Sequence, residues 1–219
     1  TSLCTFDTMV KHIQLRGQTF TLHSSGVLYW KSRDMLLISD VHLGKITHFR
    51  KYGSAVPLNA IHGNFRILNA AVEKFNPKTI CFLGDLFHSY KNKEWEFFES
   101  WVINTGVSCL LVSGNHDILP ESLFEKLEME VWPELVIDDF LLTHHPTERT
   151  PYFNISGHIH PAVRLKGTAR QSMRLPCFFR SGEQLIMPAF GEFTGTHTLL
   201  PTPKDEVYAI TPEEVIQVH

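Results

Sequence analysis

The residues of this chain that could do chemistry are its histidines and a few acidic partners. Seven of the thirteen histidines, His42, His88, His116, His144, His145, His158 and His160, fall in five short clusters. These are Asp40-Val41-His42, Gly84-Asp85 with His88 just beyond, Gly114-Asn115-His116-Asp117, Thr143-His144-His145 and Gly157-His158-Ile159-His160. One histidine taken alone is more often a hydrogen-bonded core or surface residue than a ligand. Five clusters, each at the end of an apolar run, argue for something else. On an extended segment residues i and i+2 project to one face, so Asp40 with His42, and His158 with His160, can each address one small volume. A two-metal site needs that economy, with ions roughly 3.5 to 4 Å apart and a carboxylate shared between them. Asp85, the lone carboxylate on its strand tip, suits the bridge. Imidazoles outnumber carboxylates and no thiolate joins them, which favours Mn²⁺, with Fe²⁺ or Zn²⁺ as alternatives, over Mg²⁺ or Ca²⁺. Two divalent ions, two aspartates and a hydroxide leave about one positive charge, which a phosphodiester anion would neutralise.

The elements that must position these groups follow from the hydrophobic pattern. Residues 12–30 alternate apolar and polar positions around Ser24-Ser25-Gly26, which predicts a hairpin. Met35–Ile38, Thr79–Leu83 and Cys109–Val112 are continuous apolar runs, read as buried strands. Between them, residues 57–75 carry Ile61, Phe65, Leu68 and Val72 at helical spacing up to Asn76-Pro77, and residues 92–104 form a second amphipathic helix. A shorter helix is expected over Pro120–Leu127. Two strand-helix-strand units in succession predict parallel strands with covering helices, and ligands in such sheets bind beyond the carboxyl ends of the strands. After about Val131 the chain reads as strands punctuated by Gly and Pro, a more antiparallel half. No repeat, linker or low-complexity segment interrupts residues 1–219, so the expectation is one domain with two sheets packed between helices.

Composition bounds the partners. At 219 residues and 43% hydrophobic the chain can bury a sizeable core, and a net charge of −3 excludes a wholesale basic surface. Any phosphate-binding patch is local. The best candidate is Lys45, His48, Arg50 and Lys51, directly after the first cluster, although a charge run is commonly just a solvated face. Trp95, Trp101 and the Phe-rich stretch 178–193 read as packing residues. Cys4, Cys81, Cys109 and Cys177 form no C-x-x-C pair and read as reduced, buried side chains. No apolar stretch approaches a membrane span and the first residues lack a signal-peptide core, so the cytoplasm is the expected location.

Taken in order, D-x-H, GD, GNHD, a strand-borne His and GHxH resemble the calcineurin-like metallophosphoesterase superfamily over about Asp40 to His160. The resemblance implies a two-sheet α/β/β/α sandwich with the metal site at the strand C-terminal ends. It implies one ion held by Asp40, His42, Asp85 and His160, and a second by Asp85, Asn115, His144 and His158. It also implies that His116 protonates the leaving oxygen, with Asp117 beside it to orient and charge it. VHLGKITHFRK at 41–51, GDLFHS at 84–89, Glu94-Trp95, RLPCF at 174–178 and PAFGEFTG at 188–195 further resemble the bacterial ligase-associated DNA-damage-response endonuclease family PdeM; Thr196-His197 departs from that pattern. This narrower resemblance implies a DNA endonuclease in repair, with an ATP-dependent DNA ligase and other repair proteins as partners. GDLFH also resembles double-strand-break repair nucleases of the superfamily, where the equivalent of His88 contacts the scissile phosphate; the alternative is a histidine that orients Asp85. His145 is expected either to support the ligands from behind or to face solvent, because adjacent strand residues point opposite ways and His144 takes the ligand role. Two rival functions stay open: an esterase for small nucleotides or other soluble esters, and a non-catalytic scaffold of the same fold, which the presence of His116 disfavours.

Overall fold

A computed structural model describes residues 7–45, 61–167, 171–191 and 194–219. The first sheet opens as an antiparallel meander of β1 (Val10–Leu15), β2 (Gln18–His23), β3 (Leu28–Trp30) and β4 (Met35–Ile38). The expected hairpin is thus three strands with two turns. The additional turn is Arg16-Gly17, where both residues have positive φ (48° and 73°) and Leu15 pairs with Gln18. A two-residue connection of this kind matches the twist of its strands, but it leaves the apolar alternation nearly unbroken and so is hard to see in the sequence.

Beyond β4 the sheet becomes parallel through β5 (Thr79–Leu83), β6 (Ser108–Val112) and β7 (Glu130–Trp132). The strands lie side by side in chain order. The described helices are α1 (Ile61–Phe75), α2 (Lys93–Thr105) and α3 (Glu121–Glu125). The expected Pro57 start of α1 lies outside the described residues; its end is Asn76, at φ 44°. Asn92 caps α2, its side chain accepting from the Glu94 N–H at 2.8 Å, and Gly106 in the left-handed conformation ends it.

The second sheet is mixed. It contains β8 (Leu135–Ile137), β9 (Phe140–Leu142), β10 (Phe153–Ser156), β11 (Pro161–Lys166), β12 (Ser172–Ser181), β13 (Gln184–Ile186), β14 (His197–Thr198), β15 (Glu206–Ile210) and β16 (Val215–Gln217). The order is β14-β11-β12-β13-β10-β9-β8, with β15 pairing β12 and β16. β10 runs parallel to both β9 and β13, while β12 is antiparallel to β11, β13 and β15.

β4 and β5 are almost entirely apolar because both their faces are buried, whereas β7 at the edge exposes Glu130 and Trp132. Leu37, Cys81, Leu83 and Val112 point toward the second sheet and meet Phe140, Phe153, Ile155 and Leu185. Leu36, Ile38, Ile80, Phe82 and Leu111 point the other way and meet Leu68, Trp95, Phe98 and Trp101 of the helices. Two sheets face to face is the expected sandwich. Among the described residues the helices all pack against the first sheet, and the outer face of the second carries a smaller cluster around Cys177, Phe179 and Val207. Cys81, Cys109 and Cys177 are free and buried, as expected of small core side chains.

Candidate metal centre

β4 and β5 end at Ile38 and Leu83, but their backbones stay zipped for several residues more. Asp40 N–H donates to the Gly84 carbonyl (3.2 Å), His42 N–H to Asp85 (2.9 Å), Leu43 N–H to Leu86 (2.8 Å) and His88 N–H to Leu43 (2.8 Å). D-x-H and GD-x-x-H are therefore held side by side at the carboxyl ends of the strands. Phe190 and Gly191, which follow β13, close this layer from the second sheet's side, Phe190 N–H donating to Ser39 (2.9 Å) and Gly191 N–H to Asp40 (3.1 Å).

Two groups of donors result. In the first, His160 Nε2 lies 3.1 Å from Asp40 Oδ1 and 3.4 Å from His42 Nε2. In the second, His144 Nε2 lies 3.3 Å from Asp85 Oδ1, 3.1 Å from Asn115 Oδ1 and 3.2 Å from His158 Nδ1. Asp85 faces both, since its Oδ2 is 3.9 Å from His42 Nε2. Asp40, Asp85 and His144 also come within mutual ligand range. The structure thus brings together all seven expected ligands. The i, i+2 reasoning needs correction, however: His158 and His160 do not address one volume but are divided between the two groups. Nor are these segments extended. Asp40, His42, Asp85, His158 and His160 all have positive φ, between 51° and 67°. Such conformations in non-glycine residues are strained, and they concentrate where surrounding structure dictates a functional geometry.

The surrounding contacts also set the ring tautomers. A carbonyl can only accept, so His144 Nδ1–H donates to Leu83 (2.9 Å) and His160 Nδ1–H donates to Gly195 (3.1 Å). In the neutral ring each Nε2 is then left with its lone pair facing the site. Asp40 Oδ2 accepts from Ser39 Oγ and from His158 N–H (2.9 Å), while its buried Oδ1 accepts no hydrogen bond. Asp85 Oδ1 accepts from His116 N–H (3.0 Å). Two glycines make the close approaches possible. A Cβ on Gly84 (φ 80°) would stand 2.3 Å from His144 Nδ1, and one on Gly157 would stand 1.6 Å from Ser39 Oγ.

These residues fit a pair of cations. With the His144 ring neutral, lone-pair atoms of His144, Asn115 and Asp85 converge, and Asp40 Oδ1 is an orphaned acceptor. Donor atoms around an ion at about 2.1 Å are themselves about 3.0–3.4 Å apart, the spacing seen here. The protonation states of His42 and His158 agree. Burial lowers the His42 pKa to about 4 despite Asp40 and Asp85, and lowers that of His158, helped by the charges of His145 and His144. Both rings are neutral, as ligands must be. Burial would raise the Asp85 carboxyl, but the hydrogen bond and charge of His144 outweigh it and hold the group well below the usual range. For His144 burial opposes charge, yet hydrogen bonds to Asp85 and the Leu83 carbonyl raise its pKa, which favours a proton on Nε2 that a bound ion would displace.

The remaining expected residues are placed differently. His88 lies with its ring 4.3 Å from that of His116 and 5.3 Å from that of His42, so two further imidazoles flank the first group. The expected pairing of Asp117 with His116 does not form. Asp117 instead accepts from Phe87 N–H (3.1 Å) and Gly114 N–H (2.8 Å), stapling the GNHD loop to the GDLF loop, and burial raises its pKa against the pull of those bonds. Asp117 is a positioning residue, because its two oxygens are engaged by main chain. His145 is exposed, as alternation suggests, but its ring is not turned away: it lies 3.9 Å from that of His158. Lys45 is half-buried beside the first group, whereas His48, Arg50 and Lys51 lie outside the described residues. Sequence reasoning missed Ser39, the Leu83 and Gly195 carbonyls, and Gly157. Only the apolar-run-then-glycine pattern hinted at any of them.

The calcineurin-like phosphoesterase family model matches residues 34–171. Among solved structures, a Pseudomonas putida nuclease MPE is similar with a TM-score of 0.77 and 28% identity, covering 91% of this chain and 96% of that one. More distant are protein AQ665 of unknown function from Aquifex aeolicus (TM-score 0.40, 22% identity, 57% and 78% covered) and the phosphoesterase Yfce from E. coli (0.42, 17%, 84% and 97%). No curated protein matches the chain. Among the described residues no helix is long and apolar enough to cross a membrane. With more than half of its length matched and the donor groups of a dinuclear site assembled at its strand ends, this chain belongs to the calcineurin-like phosphoesterase family of metal-dependent hydrolases of phosphoester bonds.

Proposed function

We propose that this chain is a phosphodiesterase that cuts DNA, an endonuclease of DNA repair, with Mn²⁺ as its metal. In this reading Asp40, His42, Asp85 and His160 hold one ion, and Asp85, Asn115, His144 and His158 the other. Bound there, two divalent ions supply charge stabilisation at the phosphoryl oxygens and a hydroxide nucleophile at neutral pH. The observation that carries the diester assignment is the row of His116, His88 and His42 rings, with His88 in the middle, 4.3 Å from His116 and 5.3 Å from His42. Both His88 and His116 are left over from the ligand sets, and a diester needs two such groups. His116 donates the proton that the departing deoxyribose oxygen requires, and His88 hydrogen-bonds the scissile phosphate. Similarity to a nuclease at 28% identity over nearly both chains supports the same substrate class. Lys45, with His48, Arg50 and Lys51, would follow the DNA backbone. Association with an ATP-dependent DNA ligase and other repair proteins, in the cytoplasm, belongs to this reading and rests on the PdeM resemblance.

The test is metal-stripped protein reloaded with Mn²⁺, Zn²⁺ or Mg²⁺ and assayed on closed circular DNA, single strands, a nitrophenyl diester and a nitrophenyl monoester. Mn²⁺ should restore diester and DNA cleavage, including nicking of the circle. His88→Ser should keep both ions and lower diester cleavage far more than monoester cleavage. Equal losses on both esters with weakened metal binding would make His88 an orienting residue for Asp85. Hydrolysis of monoesters alone would overturn the DNA assignment. The net charge of −3 favours one rival, an esterase for small nucleotides. Salt separates the two, because DNA binding weakens steeply as salt rises.

A further inference from the structure

β9 ends at Leu142, and past it strand alternation no longer decides where side chains go. The His145 carbonyl accepts from Thr143 Oγ1 (2.6 Å) and Thr147 Oγ1 (2.9 Å), and the His144 carbonyl accepts from Gly157 N–H (3.0 Å). This pinned turn lays the His145 ring against that of His158, with centroids 3.9 Å apart, and 4.9 Å from that of His144. Nitrogens of the three rings come within 4.8 Å of one another. The residue is nevertheless exposed, and its ring nitrogens have no hydrogen-bond partner among the described residues.

We propose that His145 is a substrate contact, donating an N–H to a non-bridging oxygen of a phosphate bound at the second donor group. The proposal rests on the two-ion phosphoesterase reading of the site. His88 and His116 flank the first group, on the His42 side. Among the described residues outside the expected ligands, His145 is the imidazole that flanks the second. Counting it as one more ligand is the less economical assignment. Asp85, Asn115, His144 and His158 already converge there, and a hydrolytic site must keep positions open for substrate and nucleophile. A group that is exposed, oriented by ring contact and unpartnered is ready to bond an arriving anion. A neutral imidazole carries one N–H in either tautomer, so donation needs no change of protonation.

The test uses Mn²⁺-loaded wild type, His145→Ala and His145→Gln, with inorganic phosphate as the probe. Calorimetric titration gives Mn²⁺ stoichiometry and affinity, then phosphate affinity; steady-state kinetics on a nitrophenyl diester give KM and kcat. His145→Ala should bind two ions as tightly as wild type, while phosphate binding weakens about 10- to 100-fold, the range for a hydrogen bond to a charged group. His145→Gln, which keeps a donor, should recover part of that loss. Unchanged phosphate affinity in His145→Ala would overturn the proposal. So would a tenfold loss of Mn²⁺ affinity, which would make His145 a ligand or a support for His158. Wild type that takes fewer than two ions would instead overturn the two-ion reading beneath it.

Discussion

Gly84 lies against the His144 ring of the second donor group, and Gly84→Ala should weaken the binding of one ion without replacing a ligand. The position has φ 80°, and its new Cβ would stand 2.3, 2.5 and 2.8 Å from Nδ1, Cγ and Cβ of His144. The left-handed backbone with a side chain costs about 1–2 kcal/mol. To regain ordinary contact the imidazole must retreat by about 1 Å, breaking its Nδ1–H bond to Leu83, worth about 1 kcal/mol. Metal-free Gly84→Ala should therefore lose about 2–3 kcal/mol, or about 4–12 °C in Tm for a chain of this size. The same retreat carries Nε2 away from Asp85, Asn115 and His158, so one Mn²⁺ should bind about 10- to 100-fold more weakly. Gly182→Ala is the control. It too has positive φ (54°), but a Cβ there meets nothing within 4 Å. It should show the backbone penalty alone and full Mn²⁺ affinity. Calorimetric Mn²⁺ titration and thermal melts of both apo proteins read the difference. Two ions bound to Gly84→Ala at wild-type affinity would refute the packing argument.

Asp85→Ala should empty both sites, because the two oxygens of Asp85 face different donor groups; two Mn²⁺ per chain by elemental analysis would sink the bridging role. His116→Ala should retain both ions and lose about 10²- to 10⁴-fold on DNA but little on a nitrophenyl ester, whose leaving group needs no proton. Equal losses on the two substrates would remove the acid role. His23 gives a pH prediction outside the site. Burial, helped by the charge of Lys74, lowers its pKa to about 4, against an ordinary value of about 6.5. Its stabilisation is complete above pH 6.5 and is lost as pH falls toward 4. Between pH 7 and 5 the stability of the wild type should therefore drop by about 2 kcal/mol more than that of His23→Gln in urea titrations. Parallel pH curves would contradict it.

What the sequence determined is local. Apolar runs such as Leu36-Leu37-Ile38 and Cys81-Phe82-Leu83 must be strands buried on both faces, and polar residues that follow them must emerge at the strand ends. D-x-H, GD, GNHD and GHxH were legible for that reason, and their order pointed to the family. Local patterns carry no information about which end meets which across two sheets. The division of His158 from His160 depends on how the turn between β10 and β11 lies against Asp40, whose Oδ2 takes the His158 N–H. The left-handed conformations at the ligands exist because neighbouring loops and glycines over-determine them. Asp117 could be read as a partner for His116 until the GDLF backbone was seen to occupy its oxygens. His145 shows the same limit: alternation governs a side chain only while the strand lasts, and after Leu142 the turn's own hydrogen bonds decide. The Gly195 carbonyl that orients His160 lies 35 residues away in the chain, and only the pairing of β14 with β11 inside the second sheet, Pro161 opposite His197, brings it there.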